Sequence, residues 1–462
     1  MAADVPLYPP QPSERYTDLE ATAGTVEDSA ADVEEAWARP AKRRRWDWRT
    51  GLAGLVAGLL LGAGAFHAQG KLRQGEEAPA LKDEMVLLSP AMATNGSDEA
   101  LLSTPVRIHY RSEDHLNRRD PILPPDCPVP VVYTIDEKVA DIVVLSSDRQ
   151  QGVTPEEMDE RRRTRPWQSY AIWGVESAPN RQALDTHHER LKEGQRSETA
   201  EYEMTYRLNS TVPATYSYNY FNYDNAPVSL KEKRSDKIAV AFISNCHPKN
   251  ARTLILDELI SLLPGKIDSY GSCRNNANAD ETLKELGLYD SVGAHNNWNQ
   301  KITMIGHYRF TIAFENSNDL DYVTEKYFQS LERGTVPLVF GAPDYARRFF
   351  PSPNAGIDVG SYLPANYTEP SRPWSSPPEA LDDEAKAGLA RLAKRLEHLS
   401  SDAGNDEYEA MLEWKKDGRW KRDPANPLGK IVRESTSRWA QDCRLAGVFR
   451  GQEWAKSGWT PP

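Results

Sequence analysis

The window from Phe310 to Pro343 (FTIAFENSNDLDYVTEKYFQSLERGTVPLVFGAP) concentrates residue types that can do chemistry. An apolar run typical of a buried strand ends in Glu315-Asn316, and a helix predicted over 322–333 follows with Lys326 in its first turns. A cation there opposes the helix dipole, which favours anions at the amino end. Its position is explained if Lys326 and free backbone N–H groups together hold a phosphate. The alternative is an ordinary βαβ packing unit with a solvated polar loop.

The same window resembles the signature of the α1,3-fucosyltransferases, glycosyltransferase family 10, whose pattern reads close to FENS/T-x-x-x-DYVTEK. Four further segments are similar to blocks of that family: FISNCHPKNAR at 242–252, KIDSYGSC at 266–273 and, more loosely, WGVESA at 173–178 and MTYRLNSTVP at 204–213. The resemblance spans residues 106–356. Its details are nearer to plant-type N-glycan core fucosyltransferases than to the animal Lewis-type enzymes.

The resemblance implies a GT-B fold, with two Rossmann-like α/β domains facing a cleft, and inverting transfer of L-fucose from GDP-fucose. Glycosyl transfer passes through an oxocarbenium-like state, so the attacking hydroxyl needs a base and the departing diphosphate needs positive charge. Glu176 in WGVESA matches the family's base, and Arg252 and Lys326 match its diphosphate-binding cations. The structural alternatives are an exposed strand-end glutamate and two solvated surface cations.

The remaining residues carried over from the family are contacts to the nucleotide. Asn316, Tyr322 and Glu325 match residues expected near the ribose or the guanine, through hydrogen bonding or stacking. Ser244 and Asn245 match a donor-binding loop. Loop and helix-capping structure is the alternative for all five. The resemblance therefore implies GDP-fucose as donor substrate and no required cofactor.

No metal-ligating pattern accompanies these residues in the sequence. The histidines, among them His187-His188 and His247, lack the i, i+4 spacing of zinc ligands. Asp319 and Asp321 have the spacing of an Asp-X-Asp clamp but lie inside the fucosyltransferase motif. We therefore expect metal-independent chemistry that divalent cations at most stimulate.

The acceptor side is the less specific part of the resemblance, because the aromatic loop 216–223 has only a partial counterpart in the family. Plant-like features favour α1,3 transfer to the core GlcNAc of an N-glycan on a glycoprotein. Transfer to outer LacNAc or another glycan, use of another sugar nucleotide, and a catalytically silent, membrane-tethered glycan-binding protein are the alternatives. The sequence leaves a homo-oligomer open.

Two α/β units are needed to position these residues. Short β-branched runs predict an acceptor-side domain over 105–235, and alternating strands and helices predict a GDP-fucose-binding domain over 236–375. The segment 376–462 is predicted to be helical. Open parallel sheets bind ligands beyond the carboxyl ends of their strands, so the cleft between the two units is the expected site.

The residues ahead of these domains predict a membrane anchor. Residues 1–49 are predicted to be a disordered cytosolic tail, 50–70 (with GLAGLVAGLLLGAGAF) a transmembrane signal-anchor, and 71–104 a stem. Basic residues before the apolar run place the amino terminus in the cytosol. The predicted topology is a single-pass type II protein of the Golgi membrane with lumenal domains. A buried helix and a cleaved signal peptide are the alternatives.

Composition and covalent signals limit the class of protein further. With 56 basic and 68 acidic residues the net charge is −12, which argues against a protein that coats nucleic acid. A mean hydropathy of −0.66 excludes a polytopic membrane protein. Sequons at Asn95, Asn209 and Asn366 all follow the predicted anchor. Four cysteines also follow it, and any of three complete pairings, or buried free thiols, are open to them: Cys127, Cys246, Cys273 and Cys443.

Overall fold

The computed structural model of the protein describes residues 103–112, 127–217, 221–292, 297–373, 376–434 and 440–455. The predicted tail and anchor, nearly all of the stem and the sequon at Asn95 lie outside the described residues. Within the described ranges, no helix is both long enough and apolar enough to cross a bilayer. The other two sequon asparagines, Asn209 and Asn366, are exposed.

The first half of the described chain forms a parallel sheet with the strand order β2-β1-β3-β4-β5. Its strands are β1 (Val106–Tyr110), β2 (Val131–Tyr133), β3 (Ile142–Ser146), β4 (Ser169–Gly174) and β5 (Tyr202–Thr205). Helices α1 (Pro155–Thr164) and α2 (Gln182–Lys192) follow β3 and β4. Every residue of β3 is buried, as expected for a continuous apolar strand in the middle of a parallel sheet.

The charged composition of residues 182–203 predicts one helix-like stretch, but the structure divides it. Helix α2 ends at Lys192, and Gly194 adopts a φ of +78°, a left-handed conformation that glycine takes without steric cost. The chain then turns back, and Met204 pairs with Trp173 in the parallel ladder between β5 and β4. The prediction was wrong here because a four-residue strand carries too short an alternation to be recognised beside a charged helix.

The second half forms another parallel sheet, with the strand order β10-β9-β8-β6-β7. Its strands are β6 (Ala239–Phe242), β7 (Ile267–Tyr270), β8 (Phe310–Phe314), β9 (Val336–Phe340) and β10 (Ile357–Asp358). Its helices are α3 (Arg252–Leu262), α4 (Ala279–Glu285), α5 (Tyr289–Val292), α6 (Asn297–Gly306), α7 (Glu325–Arg333) and α8 (Tyr345–Phe349). Two parallel-sheet α/β domains are thus present, and they support the GT-B-like plan that the resemblance implies.

Helix α7 starts three residues later than predicted, at Glu325 rather than at Tyr322. Asp321 has a φ of +63°, which lies outside the helical region, and the N–H of Thr324 donates to Glu315 Oε1 over 2.8 Å. The chain is therefore held in a loop up to Thr324. The consequence is that Tyr322 belongs to the loop and not to the first turn of the helix. Gly334, with a φ of +64°, ends the helix as predicted.

The C-terminal segment is helical and covers both sheets. It comprises α9 (Asp383–Ser400), α10 (Asn405–Ala410), α11 (Trp414–Asp417), α12 (Pro427–Glu434) and α13 (Ala440–Phe449). Helix α9 buries Leu389 and Leu392 in the apolar core of the second sheet, whereas α13 buries Leu445 and Ala446 in the core of the first. The end of the chain thus returns to the domain in which the described part begins.

Two disulfides are formed among the four cysteines. Cys127–Cys443 joins the chain ahead of β2 to α13, with the Cα atoms 5.8 Å apart, and Cys246–Cys273 joins the loops after β6 and β7, with the Cα atoms 5.2 Å apart. The neighbouring Asp442 accepts hydrogen bonds from the hydroxyls of Tyr110 and Tyr133, each over 2.6 Å. Of the three pairings left open by the sequence, this is the one found.

We predict that the two disulfides stabilise the fold unequally, because they close loops of 316 and 27 residues. Loop-closure entropy alone makes the long-range bond worth about 2 kcal/mol more than the short-range one. Urea unfolding of the Cys127→Ser/Cys443→Ser and Cys246→Ser/Cys273→Ser double variants should show this difference in the free energy of unfolding. An equal loss in the two variants would contradict it.

Candidate active site

The predicted catalytic and binding residues converge on one loop, residues 315–324, which we call the signature loop. It leaves the carboxyl end of β8, the central strand of the second sheet, and leads into α7. On its other side it contacts two first-domain segments, residues 176–180 after β4 and residues 206–208 after β5. The site therefore lies where the carboxyl edges of both sheets meet, as expected for parallel sheets.

The signature loop begins with Glu315, a wholly buried carboxylate. Its Oε1 accepts from Thr324 N and Oγ1 over 2.8 and 3.1 Å, so it ties the two ends of the loop together. Burial raises the pKa of Glu315, although Lys326 opposes the shift with its Nζ 3.6 Å from Oε2. A Cβ on Gly341, the residue after β9, would lie only 2.8 Å from the Cβ of Glu315, so only glycine fits at this position. Our sequence analysis did not select Glu315, although a carboxylate directly after an apolar strand was the available signal.

Lys326 is the second residue of α7 and is mostly buried. Its Nζ donates to Thr324 Oγ1 over 2.9 Å and lies 3.3 Å from Glu325 Oε1. Burial lowers its pKa, but the neighbouring Glu325 and Glu315 outweigh burial and raise the pKa of Lys326 above its usual value. The ammonium is therefore charged at neutral pH, which is the state needed to bind a phosphate.

Glu325 lies between two lysines at the start of α7. Its Oε1 is 3.3 Å from Lys326 Nζ and 3.7 Å from Lys301 Nζ. Burial would raise the pKa of this carboxyl, but the two ammonium groups hold it at about 2. Glu325 is thus an ionised partner of Lys326, and its contact with the nucleotide stays a prediction.

Arg252 is the first residue of α3 and is only 2% exposed. Its guanidinium donates to the carbonyls of Asn245 and Phe314, over 2.6 and 3.5 Å, and its Nε has no partner in the described structure. Burial lowers the pKa of Arg252 to about 10, so the group remains charged. Carboxylates of both domains act on this charge: Glu315, Glu176 and Glu325.

A buried guanidinium that is bonded to carbonyls and not directly to a carboxylate is costly to maintain. An anion next to Arg252 would satisfy both the charge and the unused Nε donor. The burial of Arg252 excludes the alternative of a solvated surface residue, and the arrangement suits the binding of a diphosphate.

Ser244 and Asn245 lie in the loop between β6 and α3, where they shape the surroundings of Arg252. The carbonyl of Asn245 accepts from the guanidinium, and its side-chain oxygen accepts from the N–H of His247 over 2.8 Å. The carbonyl of Ser244 accepts from Ser272 Oγ over 2.9 Å. The backbone of this loop therefore supports the cation, while direct contacts of the two side chains with the donor remain a prediction.

Glu176 follows β4 and is the first-domain carboxylate of the site. Its Oε1 accepts from Tyr322 Oη over 2.7 Å, from Asn180 Nδ2 over 3.2 Å and from the N–H of Ser177 over 2.8 Å. Among the described residues, the hydrogen bonds to this carboxylate all reach Oε1. Oε2 therefore remains unbonded, and one oxygen of an oriented carboxylate is available as a proton acceptor.

Tyr322 crosses from the second domain into the core of the first. Its ring is 2% exposed and packs edge-on against Tyr206 and Tyr216, with centroids 5.2 and 6.4 Å away. In the opposite direction, Leu208 from the first domain is buried among residues of α7. The structure thus gives Tyr322 a role in orienting Glu176, and its predicted contact with the nucleotide is untested.

The amides and hydroxyls of the two domains also meet at the signature loop. Asn316 Oδ1 accepts from Asn180 Nδ2 over 3.0 Å, and Ser317 Oγ donates to Ser177 Oγ over 2.7 Å. Asn180 therefore connects Asn316 to the Glu176 carboxylate. It was missed by our sequence analysis, since an isolated asparagine after a strand carries no distinctive pattern.

Asp319 and Asp321 join the domains and do not form a clamp for a metal ion. Asp319 accepts from Tyr206 Oη and from Arg207 Nη2, the latter over 2.9 Å. Asp321 binds the N–H of Leu208 over 3.0 Å and the guanidinium of Arg348 through both oxygens. The two carboxylates are thus already neutralised by arginines. The described residues contain no group of three or more metal-ligating side chains.

Comparison with known proteins agrees with this site. Residues 231–367 match the family model described as "Glycosyltransferase family 10 (fucosyltransferase) C-term". The resemblance inferred from the signature motif is confirmed. The matched segment contains the signature loop and the two cations, Arg252 and Lys326, that is, the whole second-domain half of the site.

The curated relatives carry fucosyltransferase names. A fucosyltransferase-like protein of Arabidopsis thaliana is 35% identical over 216 residues, which are 46% of this chain and 33% of the relative. The human GDP-fucose protein O-fucosyltransferase 3 is 30% identical over 194 residues, 42% of this chain and 33% of the relative. The chain thus spans about a third of the length of these relatives. A solved α1,3-fucosyltransferase with GDP-fucose is 14% identical, covers 68% of this chain and 86% of its own, and has a TM-score of 0.33.

We predict that Tyr322→Phe lowers turnover and leaves nucleotide affinity unchanged. The variant removes one hydrogen bond to a charged carboxylate, an interaction of about 1.5–3 kcal/mol, so transfer should slow about tenfold or more. The Kd for GDP, measured by calorimetry, should stay within about twofold, since the ring has no free face for a base.

Tyr327→Phe is the matched control, because this buried hydroxyl of α7 donates to the carbonyl of Phe349 over 2.8 Å and does not contact Glu176. A large rise in the Kd for GDP with Tyr322→Phe would instead restore the nucleotide contact expected from the sequence.

Proposed function

We propose that this protein transfers L-fucose from GDP-fucose to a hydroxyl of a glycoprotein. The observation that carries the proposal is that the signature loop and the strand before it connect an oriented carboxylate of the first domain, Glu176, with two cations of the second, Arg252 and Lys326. The carboxylate and Arg252 act on each other electrostatically. The family 10 match and the names of the curated relatives support the same donor.

In this reaction the two domains have complementary tasks. Glu176 takes the proton of the acceptor hydroxyl as the new bond from oxygen to the fucose anomeric carbon forms. The bond from that carbon to the diphosphate breaks, and GDP leaves with the additional negative charge. Arg252 and Lys326 stabilise this charge. We propose that the anomeric carbon is inverted, because the base belongs to one domain and the cations for the leaving group belong to the other.

The positive charge that the leaving diphosphate requires comes from side chains. Arg252 and Lys326 are both charged and partly or wholly buried, so their interaction with a phosphate is only weakly screened. The aspartates of the signature loop are bonded to Arg207 and Arg348. We propose that GDP-fucose needs no obligatory metal ion here and that divalent cations at most stimulate transfer.

Glu176→Gln should separate binding from chemistry. An amide keeps the shape of the side chain but cannot accept the proton, so transfer should fall about 10²–10⁴-fold while the Kd for GDP stays the same. Glu189→Gln, a half-exposed glutamate on α2, is the control. Normal turnover of the Glu176 variant, measured with radiolabelled GDP-fucose, would remove this residue from the mechanism.

For the acceptor, the finer proposal is α1,3 transfer to the core GlcNAc of an N-glycan, which is supported by the plant-type character of the motifs. A second candidate is a serine or threonine hydroxyl of a polypeptide. It is favoured by the names of several relatives, among them the human and chicken GDP-fucose protein O-fucosyltransferase 3. The reacting hydroxyl thus belongs either to the sugar attached to the polypeptide or to the polypeptide itself. In both cases it lies close to the polypeptide chain.

An acceptor panel decides between these candidates. The purified protein is incubated with GDP-fucose, with and without EDTA, and with an N-glycosylated protein, a free LacNAc oligosaccharide and a folded protein without N-glycans. Mass spectrometry then assigns the linkage. We expect fucose on a protein of the panel, and activity that survives EDTA. Product on no acceptor from a folded protein would contradict catalysis and favour a silent glycan-binding protein.

We also propose that the two domains reside in the Golgi lumen on a single-pass type II anchor. Two disulfides among the described residues and exposed sequon asparagines at Asn209 and Asn366 support an oxidising, glycosylating compartment. In cells, N-glycosidase should shift the mobility of the full chain, and the shift should shrink in the Asn209→Gln and Asn366→Gln variants. An unglycosylated cytosolic protein would refute this location.

A further inference from the structure

The first domain contains a cavity of about 510 Å³ that the proposed chemistry does not use. We call it the α2 cavity. Leu145 of β3, Ile172 of β4, one side of α2, and the loops 150–154 and 198–200 line it, and Lys249 and Pro373 of the second domain close it. Its volume falls within the usual range of ligand sites, and it lies near the carboxyl ends of β3 and β4.

The cavity is connected to the proposed base and separate from the donor cations. Asn180 is one of its lining residues, and Asn180 Nδ2 donates to Glu176 Oε1 over 3.2 Å and to Asn316 Oδ1 over 3.0 Å. Neither Arg252 nor Lys326 is among the lining residues. Only the side chain of Asn180 thus separates a molecule in the cavity from the Glu176 carboxylate. The molecule lies on the first-domain side of this carboxylate, where we expect the acceptor.

The charged groups of the cavity are engaged by backbone carbonyls. Arg190 Nη1 donates to the carbonyls of Val153 and Glu198, both over 2.9 Å, and Lys249 Nζ donates to the carbonyl of Pro373 over 2.9 Å. The third charged residue of the lining is Glu198, so the lining carries two cations and one acid. The site therefore suits a neutral or acidic ligand.

The rest of the lining combines amides and hydroxyls with small apolar groups. Gln150, Asn180, Thr154 and Thr186 offer donors and acceptors beside Val153, Pro179 and Ala183. Among its described lining residues the aromatic side chain is His187, which is only 6% exposed and so offers little ring surface to the apolar face of a sugar. Peptide groups with short side chains match this mixture, since each backbone N–H and C=O needs a polar partner when buried.

From this chemistry we infer that the α2 cavity holds a polypeptide segment of the acceptor, next to the residue or core sugar that receives fucose. The inference rests on the proposed function and specifies its substrate class. The enzyme then recognises the protein that carries the hydroxyl, and the glycan alone is a poor substrate.

The test fills the cavity without touching the donor site. Ala183 lies on α2 at the cavity wall and is partly exposed, so Ala183→Phe occupies ligand space and leaves the core intact. Thr186→Phe, one turn along the helix, is a second variant in case the first does not fold. Lys192→Phe places the same bulk on the same helix at a side chain that is 60% exposed and outside the cavity, and is the matched control. Thermal melting establishes that each variant is folded.

The kinetics are measured with the intact protein of the panel and with the glycan or short peptide released from it. We expect the cavity variants to raise KM for the intact protein at least about tenfold, with KM for GDP-fucose and its hydrolysis without acceptor unchanged. The Lys192 variant should behave like the wild type. In the wild type, the released fragment should be the poorer substrate.

Three results would overturn the inference. The first is an unchanged KM for the intact protein in folded cavity variants. The second is an equal rise in KM for the released glycan, which would make the cavity a sugar site. The third is hydrolysis of GDP-fucose by the wild type without transfer to any panel protein, which leaves the donor half of the proposed function standing. Failure of the proposed function itself is distinct, because the wild type would then neither bind nor hydrolyse GDP-fucose.

Discussion

The carboxylates of the signature loop fix the position of one domain on the other, and the site depends on this attachment. Asp319 binds Tyr206 and Arg207, and Asp321 holds the N–H of Leu208 together with Arg348. These are buried, charge-assisted bonds, which lose much free energy if one partner is removed. Because the same loop continues into α7, the bonds that dock the domains also set the distance between the first-domain base and the second-domain cations.

The loop also explains why the site can hold buried positive charge. Glu315 closes the loop on Thr324 and lies beside Lys326, so the lysine is held and its charge is partly balanced. Arg252 has no such direct carboxylate partner and keeps an unused Nε donor in a buried position. A folded protein tolerates this cost at a site where a ligand completes the pairing. The buried charge and the unused Nε donor of Arg252 therefore support the proposal that a diphosphate binds here.

Much of the second domain follows directly from the sequence, because its strands are continuous apolar runs and its helix ends at a glycine. The apolar run before Glu315 forms β8, as predicted. The first domain was harder to predict. β5 has only four residues and follows a charged helix. The return of α13 to the first sheet depends on the Cys127–Cys443 disulfide and on the hydrogen bonds of Asp442, which no local sequence pattern predicts. Pairings over such distances are decided by packing and not by periodicity.

The sequence by itself determined which residues to expect on the donor side: a cation at a helix start, Lys326, which suits a phosphate, and a motif that resembles family 10. Only the tertiary structure decided how these residues act together. Tyr322 lies in the first-domain core and not in the helix, and its hydroxyl donates to Glu176. The two aspartates of the Asp-X-Asp pair bind arginines and join the domains. The physical reason is that residue types and local spacing can be read directly from the sequence. The hydrogen-bond partner of a buried polar group, in contrast, lies far away in sequence and is determined only when the two domains pack together.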